Sequence, residues 1–257
     1  MTRPPYHRDV IAQNVALALE FSGKVGSVAA ALEDGPIHEQ TLETIGRHSA
    51  EAPAACADLL ASLGAAMRDV TVCAFSQGPG SFTGLRVAAT MARMLAFSNR
   101  ARIIAVPTLE LLALHARECA TVPPGAAVAA VRPARPERVF AAIYAFGDER
   151  SMREVLAARE YPLLELLAAL PPACHVTGDG LELHAARFTQ AGAICLPSAF
   201  WRPGAACVLS AARERARRGA FCEPADASPL YLRPPECEEV YETRRAAAIS
   251  RRAEAAP

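Results

Sequence analysis

Three groups of residues in this sequence have the types and spacing for phosphate chemistry. Glu20 closes an apolar run, Asp179 stands between two glycines in Gly178-Asp179-Gly180, and the run Gly78-Pro79-Gly80-Ser81-Phe82-Thr83-Gly84-Leu85-Arg86 joins an apolar stretch to a long helical pattern. Acids at strand ends hold metal ions and orient water in phosphoryl transfer. A strand, a glycine-rich turn and a helix N-terminus converge backbone N–H groups on one point, which suits a phosphate or a close backbone neighbour. Gly78, Gly80 and Gly84 remove Cβ atoms that would block such an approach, Pro79 stiffens the entry, and Ser81 or Thr83 is placed to cap the helix. The run is not a Walker loop, since Leu85-Arg86 stands where Lys-Ser/Thr is needed. Nor is it a dinucleotide fingerprint, because Gly84 follows Gly78-x-Gly80 one residue too late. Spacing alone leaves a structural turn and a phosphate contact, with Gly78, Gly80, Ser81 and Gly84 as the loop residues, both open.

Other chemistry is harder to assemble. No His-x-x-x-His occurs, so no helix presents two imidazoles on one face to a metal; His48 stands alone, and His7, His38, His115, His175 and His184 are scattered. The eight cysteines form no C-x-x-C pair and several lie in apolar patterns, as buried reduced thiols do. There is no Gly-x-Ser-x-Gly elbow, and Cys174-His175 places neighbours on opposite faces of a strand. The residues therefore supply no catalytic residue, no metal set, and for a peptidase no nucleophile.

The elements that must position these groups follow from the apolar pattern. The chain has 257 residues, no formal net charge and 52% hydrophobic residues, ample for a core and without the basic footprint of a nucleic-acid binder. Neither an export signal nor a membrane span is visible, so a cytoplasmic protein without membrane contact is expected. Residues 15–21, 25–32 and 37–42 read as three antiparallel strands, followed by a helix over 50–63, a strand over 70–75, the glycine loop with its helix over 83–97, a strand over 102–106 and a helix over 109–119. Ser49 is placed to cap the first helix, with Pro53 near its first turn. After Pro123-Pro124-Gly125 the order repeats: strands over 126–132, 138–146 and 153–159, then helix 163–170, strand 174–177, helix 181–190, strand 194–196 and helix 204–218. Two βββαβαβα halves without sequence similarity predict an α/β protein of the actin and sugar-kinase type (the ASKHA architecture), with a cleft between subdomains 15–122 and 123–235. An N-terminal extension (1–14) and a mobile tail (236–257) flank them, and the proline-bearing segment from Phe221 is expected to lie over the second half.

The glycine run resembles the signature of the bacterial TsaB (YeaZ) family. Leu19-Glu20-Phe21-Ser22, Arg47-His48-Ser49, Val106-Pro107-Thr108-Leu109-Glu110, Gly178-Asp179-Gly180 and Pro229-Leu230-Tyr231-Leu232-Arg233 fall in that family's order, most closely from Val15 to Leu112. The resemblance implies the actin-like fold and a non-catalytic subunit that partners a TsaD-type protein in placing threonylcarbamoyl on the adenosine beside the anticodon of tRNA. It further implies a TsaE-type ATPase as partner, a homodimer when the protein is alone, and indirect contact with tRNA. No cofactor is required, with weak ATP or ADP binding left open. Phe21 departs from the family, where a threonine-like hydroxyl is usual, which weighs against phosphate contact by the first hairpin. The alternative function is an ATP-dependent phosphotransferase using Glu20, Gly80, Ser81 and Asp179 around a metal nucleotide.

Two helices favour the interaction protein. Over 50–63 only Glu51, Asp58 and Ser62 form a polar sector, and over 83–97 only Arg86, Thr90 and Arg93 do, leaving apolar arcs far wider than the roughly 100° that packing on one sheet face needs. The helices either cover each other or present Cys56, Leu59, Leu63, Val87, Met91 and Met94 to a partner, with Leu85, Ala89, Ala92 and Ala96 facing the sheet. In relatives these two helices form the surface shared with TsaD or with a second copy.

Overall fold

Runs of valine, leucine and alanine bounded by glycine build the sheets. In the computed structural model, which describes residues 14–42, 48–119, 122–147 and 152–233, Val15–Glu20 (β1) is buried along almost its whole length, as a strand covered on both faces must be. It pairs antiparallel with Ser27–Leu32 (β2), which pairs with His38–Thr41 (β3), an exposed polar edge. The helix His48–Ser62 (α1) carries Pro53 in its interior, further along than its first turn. Val70–Gly78 (β4) runs parallel to β1, and Phe82–Asn99 (α2) crosses to Arg102–Pro107 (β5), parallel to β4. Thr108–Cys119 (α3) closes the first half.

The second half has Ala127–Pro133 (β6), Arg138–Phe146 (β7), Met152–Pro162 (β8), Leu163–Ala168 (α4), His175–Thr177 (β9), Leu181–Gln190 (α5), Ile194–Cys195 (β10) and Ala205–Arg217 (α6). The sheets are ordered β3-β2-β1-β4-β5 and β10-β9-β6-β7-β8. Read from opposite ends, each runs third, second, first, fourth and fifth strand of its half. The α/β, actin-like organisation expected from the repeated element order is therefore present, with every strand pairing in the expected sense.

The helices are distributed in a way that the division at residues 122 and 123 does not convey. α1 and α2 cover one face of the first sheet, where Ala52, Cys56, Leu60, Ala88, Ala92 and Leu95 meet Leu17, Leu19 and Phe75. The opposite face is covered from the second half, by Ala205, Val208, Leu209 and Ala212 of α6 against Ala18, Ala29, Ala74 and Ile104. Reciprocally, Leu109, Leu112, Ala113 and Ala116 of α3 lie on Val128, Ala130, Ala142 and Tyr144 of the second sheet. The last helix of each half thus serves the other half's sheet, and α3 also sets Leu111 against the first. The start of α6 is held by the first half, with the Ala205 N–H donating to Ser27 Oγ and the Ala206 N–H to Glu39 Oε1.

The segment after α6 corrects a further expectation. It lies along the first half, where the Cys222 N–H donates to the Ile103 carbonyl, the Leu230 N–H donates to the Gln77 carbonyl at 2.7 Å, and Ala227 is fully buried. Prolines marked this stretch as extended, and its backbone finds its partners on β4 and β5. Residues 1–13, Arg47 at the start of Arg47-His48-Ser49, and the arginine-bearing tail beyond Arg233 lie outside the described residues. Among the described residues, no helix is long and apolar enough to cross a membrane.

Candidate functional site

The glycine loop leaves the end of β4 and enters α2. Gly78 has φ +122°, a conformation that L side chains avoid, and its N–H donates to Thr108 Oγ1 at 3.0 Å. A Cβ at Gly80 would stand 2.5 Å from the Ser22 carbonyl oxygen, and one at Gly84 would stand 2.0 Å from that of Phe21. The Ser81 N–H donates to the Ser22 carbonyl at 2.8 Å, and Ser81 Oγ accepts the Gly84 N–H at 3.2 Å, capping α2. The turn after β1 therefore occupies the ground the glycines keep clear. Gly80, Ser81 and Gly84 lie together as a seat for Phe21 and Ser22, whereas a Cβ at Gly78 would stand 2.7 Å from the Leu230 carbonyl oxygen.

Facing this loop is Arg132, at the end of β6 and 9% exposed. Its Nε and Nη2 donate to Asp179 Oδ1 and Oδ2 at 3.1 and 3.0 Å, a bidentate pair. Its Nη1 reaches across to the first half, donating to Ser22 Oγ at 2.7 Å and to the Pro79 carbonyl at 3.3 Å. Asp179 is presented by the turn between β9 and α5. There Gly178 has φ +114° and lies so close to the Val131 carbonyl that a Cβ would come within 2.1 Å of it. Asp179 does reach the facing wall of the cleft, where its partner is a guanidinium.

Glu20, 4% exposed, completes the line. Its Oε1 accepts the Ser22 N–H at 2.8 Å and a short bond from Ser22 Oγ, so Asp179, Arg132, Ser22 and Glu20 form one hydrogen-bonded chain across the cleft. Burial pushes the Glu20 carboxyl above its ordinary value, outweighing the hydrogen bonds of Ser22 and the charge of Arg132. Glu20 Oε2 and Ser76 Oγ are both buried with no hydrogen-bond partner, and their strands are adjacent in register. Both acids singled out from the sequence are thus engaged by the protein itself, and among the described residues no group of three or more His, Cys, Asp or Glu is arranged to hold a metal ion. The arrangement binds two halves together; it presents no free carboxylate to a metal nucleotide.

Sequence reasoning passed over Arg132. The available signal was a charged residue ending the apolar run 126–131 at the place in the second half that Glu20 takes in the first.

The helix surfaces also differ from expectation in part. Cys56 is fully buried and Leu59 is 8% exposed; both face the first sheet, and Leu63 packs against the same core. The outer side of α1 carries Pro53, Ala54, Ala57, Asp58 and Ala61 instead. Alanines on that exposed side widened the apolar arc without needing cover. On α2 the sheet is met by Leu85, Ala88, Ala89, Ala92 and Leu95, with Ala96 half-buried. Val87 and Met91 are half-buried, while Met94 is 64% and Phe97 93% exposed. With Pro53, Met67 and Arg93, Met91 and Met94 line an apolar concavity of about 620 Å³.

Comparison with known proteins agrees with the fold and with the signature. Residues 42–161 match the model of the family described as TsaD: tRNA N6-adenosine threonylcarbamoyltransferase. Over 101 residues, 39% of this chain, the sequence is 36% identical to the tRNA threonylcarbamoyladenosine biosynthesis protein TsaB of Bacillus subtilis (strain 168). Over 100 residues it is 30% identical to the protein of the same description from Buchnera aphidicola subsp. Acyrthosiphon pisum (strain APS). The matched stretch spans 44% and 45% of those two relatives. Among solved structures, an uncharacterized protein with similarity to peptidase YEAZ from Pseudomonas aeruginosa is 30% identical with a TM-score of 0.73, covering 86% of this chain and 100% of that one. YeaZ from Pseudomonas aeruginosa is 29% identical with a TM-score of 0.72, covering 85% of this chain and 99% of that one.

Proposed function

The chain belongs to the TsaB (YeaZ) family, and from that premise we propose that it is a non-catalytic subunit of tRNA threonylcarbamoyladenosine synthesis. It acts by binding a TsaD-type subunit and so supports threonylcarbamoyl transfer to the adenosine beside the anticodon. The observation that carries the non-catalytic reading is Arg132. Its guanidinium pairs with Asp179 and bonds Ser22 and the Pro79 carbonyl, where a phosphotransferase needs room and free acids for a metal nucleotide. The Cβ-free face of the glycine loop meets Phe21 and Ser22 in the same way. On this reading the protein needs no cofactor, and nucleotide binding by the glycine loop is weak or absent.

Exposed Met94 and Phe97 on α2, beside the alanine-lined outer side of α1, are the features that fit a partner's helices. The same surface serves a second copy when the TsaD-type subunit is missing. A TsaE-type ATPase joins through that assembly, tRNA is contacted through the partner, and the setting is the cytoplasm. The test is paired: purified protein is assayed for ATP hydrolysis and then for retention of a TsaD-type subunit. Stable complex formation without turnover is expected. Robust turnover that disappears in Glu20→Gln or Asp179→Asn would overturn the scaffold reading.

A further inference from the structure

The exchanged helices bring together a group outside the cleft. His115 and Cys119 are one turn apart on α3, and Cys207 lies in the first turn of α6. His115 Nδ1 is 3.1 Å from Cys207 Sγ and 3.5 Å from Cys119 Sγ, so one ring nitrogen stands between two thiols from different helices. The two thiols differ in access: Cys119 is exposed at the last residue of α3, whereas Cys207 is half-buried. The other cysteines among the described residues lack this combination. Cys56, Cys73 and Cys174 are buried, and no hydrogen bond joins Cys195 or Cys222 to an imidazole among the described residues.

We propose that Cys119 and Cys207 form a reversible disulfide, with a low-molecular-weight disulfide such as oxidised glutathione as the oxidant, and that His115 is the positioning base for its closure. The Cys119 thiolate attacks one sulfur of the oxidant, breaking its S–S bond, forming a mixed disulfide and releasing one thiolate. Cys207 gives its proton to His115 Nδ1 and attacks Cys119 Sγ. The second thiolate leaves and takes the proton from the imidazolium. Two cysteine thiols are oxidised by two electrons while the oxidant is reduced to two thiols. Burial lowers the His115 pKa against the opposing charge of Glu39. Burial also pushes the Cys207 thiol up to about 12, with Glu118, Cys119 and Glu39 adding to the rise, so an adjacent base is what it needs in order to react. Closing an S–S bond of about 2.05 Å requires Cys119 to swing toward Cys207, which the exposed end of a helix permits most readily. The bond would join α3, seated on the second sheet, to α6, seated on the first.

The test uses the full chain incubated with oxidised glutathione, then alkylated and mapped by mass spectrometry without reduction. The expected result is loss of two of the eight thiols and a cross-linked peptide pair containing Cys119 and Cys207, both reversed by a dithiol. Cys207→Ser should stop at the mixed disulfide, which accumulates on Cys119 to about ten times the wild-type level. Cys119→Ser should form neither species, and His115→Asn should reach the same cross-link about fivefold or more slowly. A wild-type mixed disulfide on Cys119 that persists as long as in Cys207→Ser, or a cross-link through other cysteines, would overturn the proposal. The wild-type peptide map decides this even where a variant folds poorly.

Discussion

Replacing Arg132 by methionine keeps the length and much of the volume of the side chain while deleting its charge and every bond it donates. Asp179, whose side chain is 14% exposed, is then left as an unpaired carboxylate, and Ser22 Oγ and the Pro79 carbonyl lose their donor. The arginine side chain itself is 10% exposed, so solvent screens the pair little. Breaking a buried pair by removing one partner costs about 3–5 kcal/mol. At about 2–4 °C per kcal/mol for a chain of this size, the melting temperature should fall by roughly 6–20 °C. Urea unfolding followed by circular dichroism, with Asp179→Asn and the double variant completing a cycle, measures both the loss and the coupling. The coupling energy should fall within about 0.5–3 kcal/mol, because Arg132→Met does less harm once the carboxylate is gone. A loss below about 1 kcal/mol with additive single variants would refute the reasoning: the guanidinium would then be a screened surface contact that holds nothing together.

Gly84→Ala places a methyl 2.0 Å from the Phe21 carbonyl oxygen, and backbone must move to admit it, so unfolding free energy should drop by about 1–3 kcal/mol; an unchanged urea midpoint would show that the loop is loosely seated. Met94→Glu, at a residue 64% exposed, should alter stability by no more than about 0.5 kcal/mol yet abolish dimerisation and retention of a TsaD-type subunit in size-exclusion chromatography; a variant that still associates places the contact elsewhere. Glu20 carries a folded-state pKa above its unfolded value of 4.5, so its contribution is fully present below that pH and is lost as pH rises through the folded value. Glu20→Gln should therefore gain stability relative to the wild type as pH climbs above 4.5, the difference being flat below it; a flat difference throughout would show that burial does not raise this carboxyl. Subtracting the two curves matters because Glu160, raised by burial but brought below its ordinary value by Arg135 and Arg138, acts in the opposite sense.

The strands were legible because their apolar runs are broken by glycine and proline at the turns, and the repeated element order sufficed for the pairing. Which sheet a helix covers was not legible. The apolar face of α6 has the same spacing whether it meets β1 or β6, and only the three-dimensional chain path decides. Arg132 was missed for a related reason, since its partners Ser22, Pro79 and Asp179 are separated from it by 110, 53 and 47 positions. The loop glycines were identified correctly as places of close approach. What approaches is the Phe21–Ser22 backbone at Gly80 and Gly84 and the Leu230 carbonyl at Gly78, and a list of small residues does not distinguish these from a phosphate. In α1 the width of the apolar sector overstated the surface for a partner, because alanine tolerates water almost as well as burial and so carries little directional information.

The crossing of α3 and α6 also sets an order on biosynthesis. The five strands of the first sheet are complete once Pro107 has been made, but the face lined by Ala18, Ala29, Ala74 and Ile104 is met only by Leu111 of α3 until α6 follows. At about 5–20 residues per second, that interval is on the order of 5–20 s, long compared with strand and helix formation. A nascent chain therefore carries an open alanine-rich sheet face while the second half is still being translated. The N-terminal half expressed by itself would retain that face indefinitely, a surface for chaperones or for aggregation.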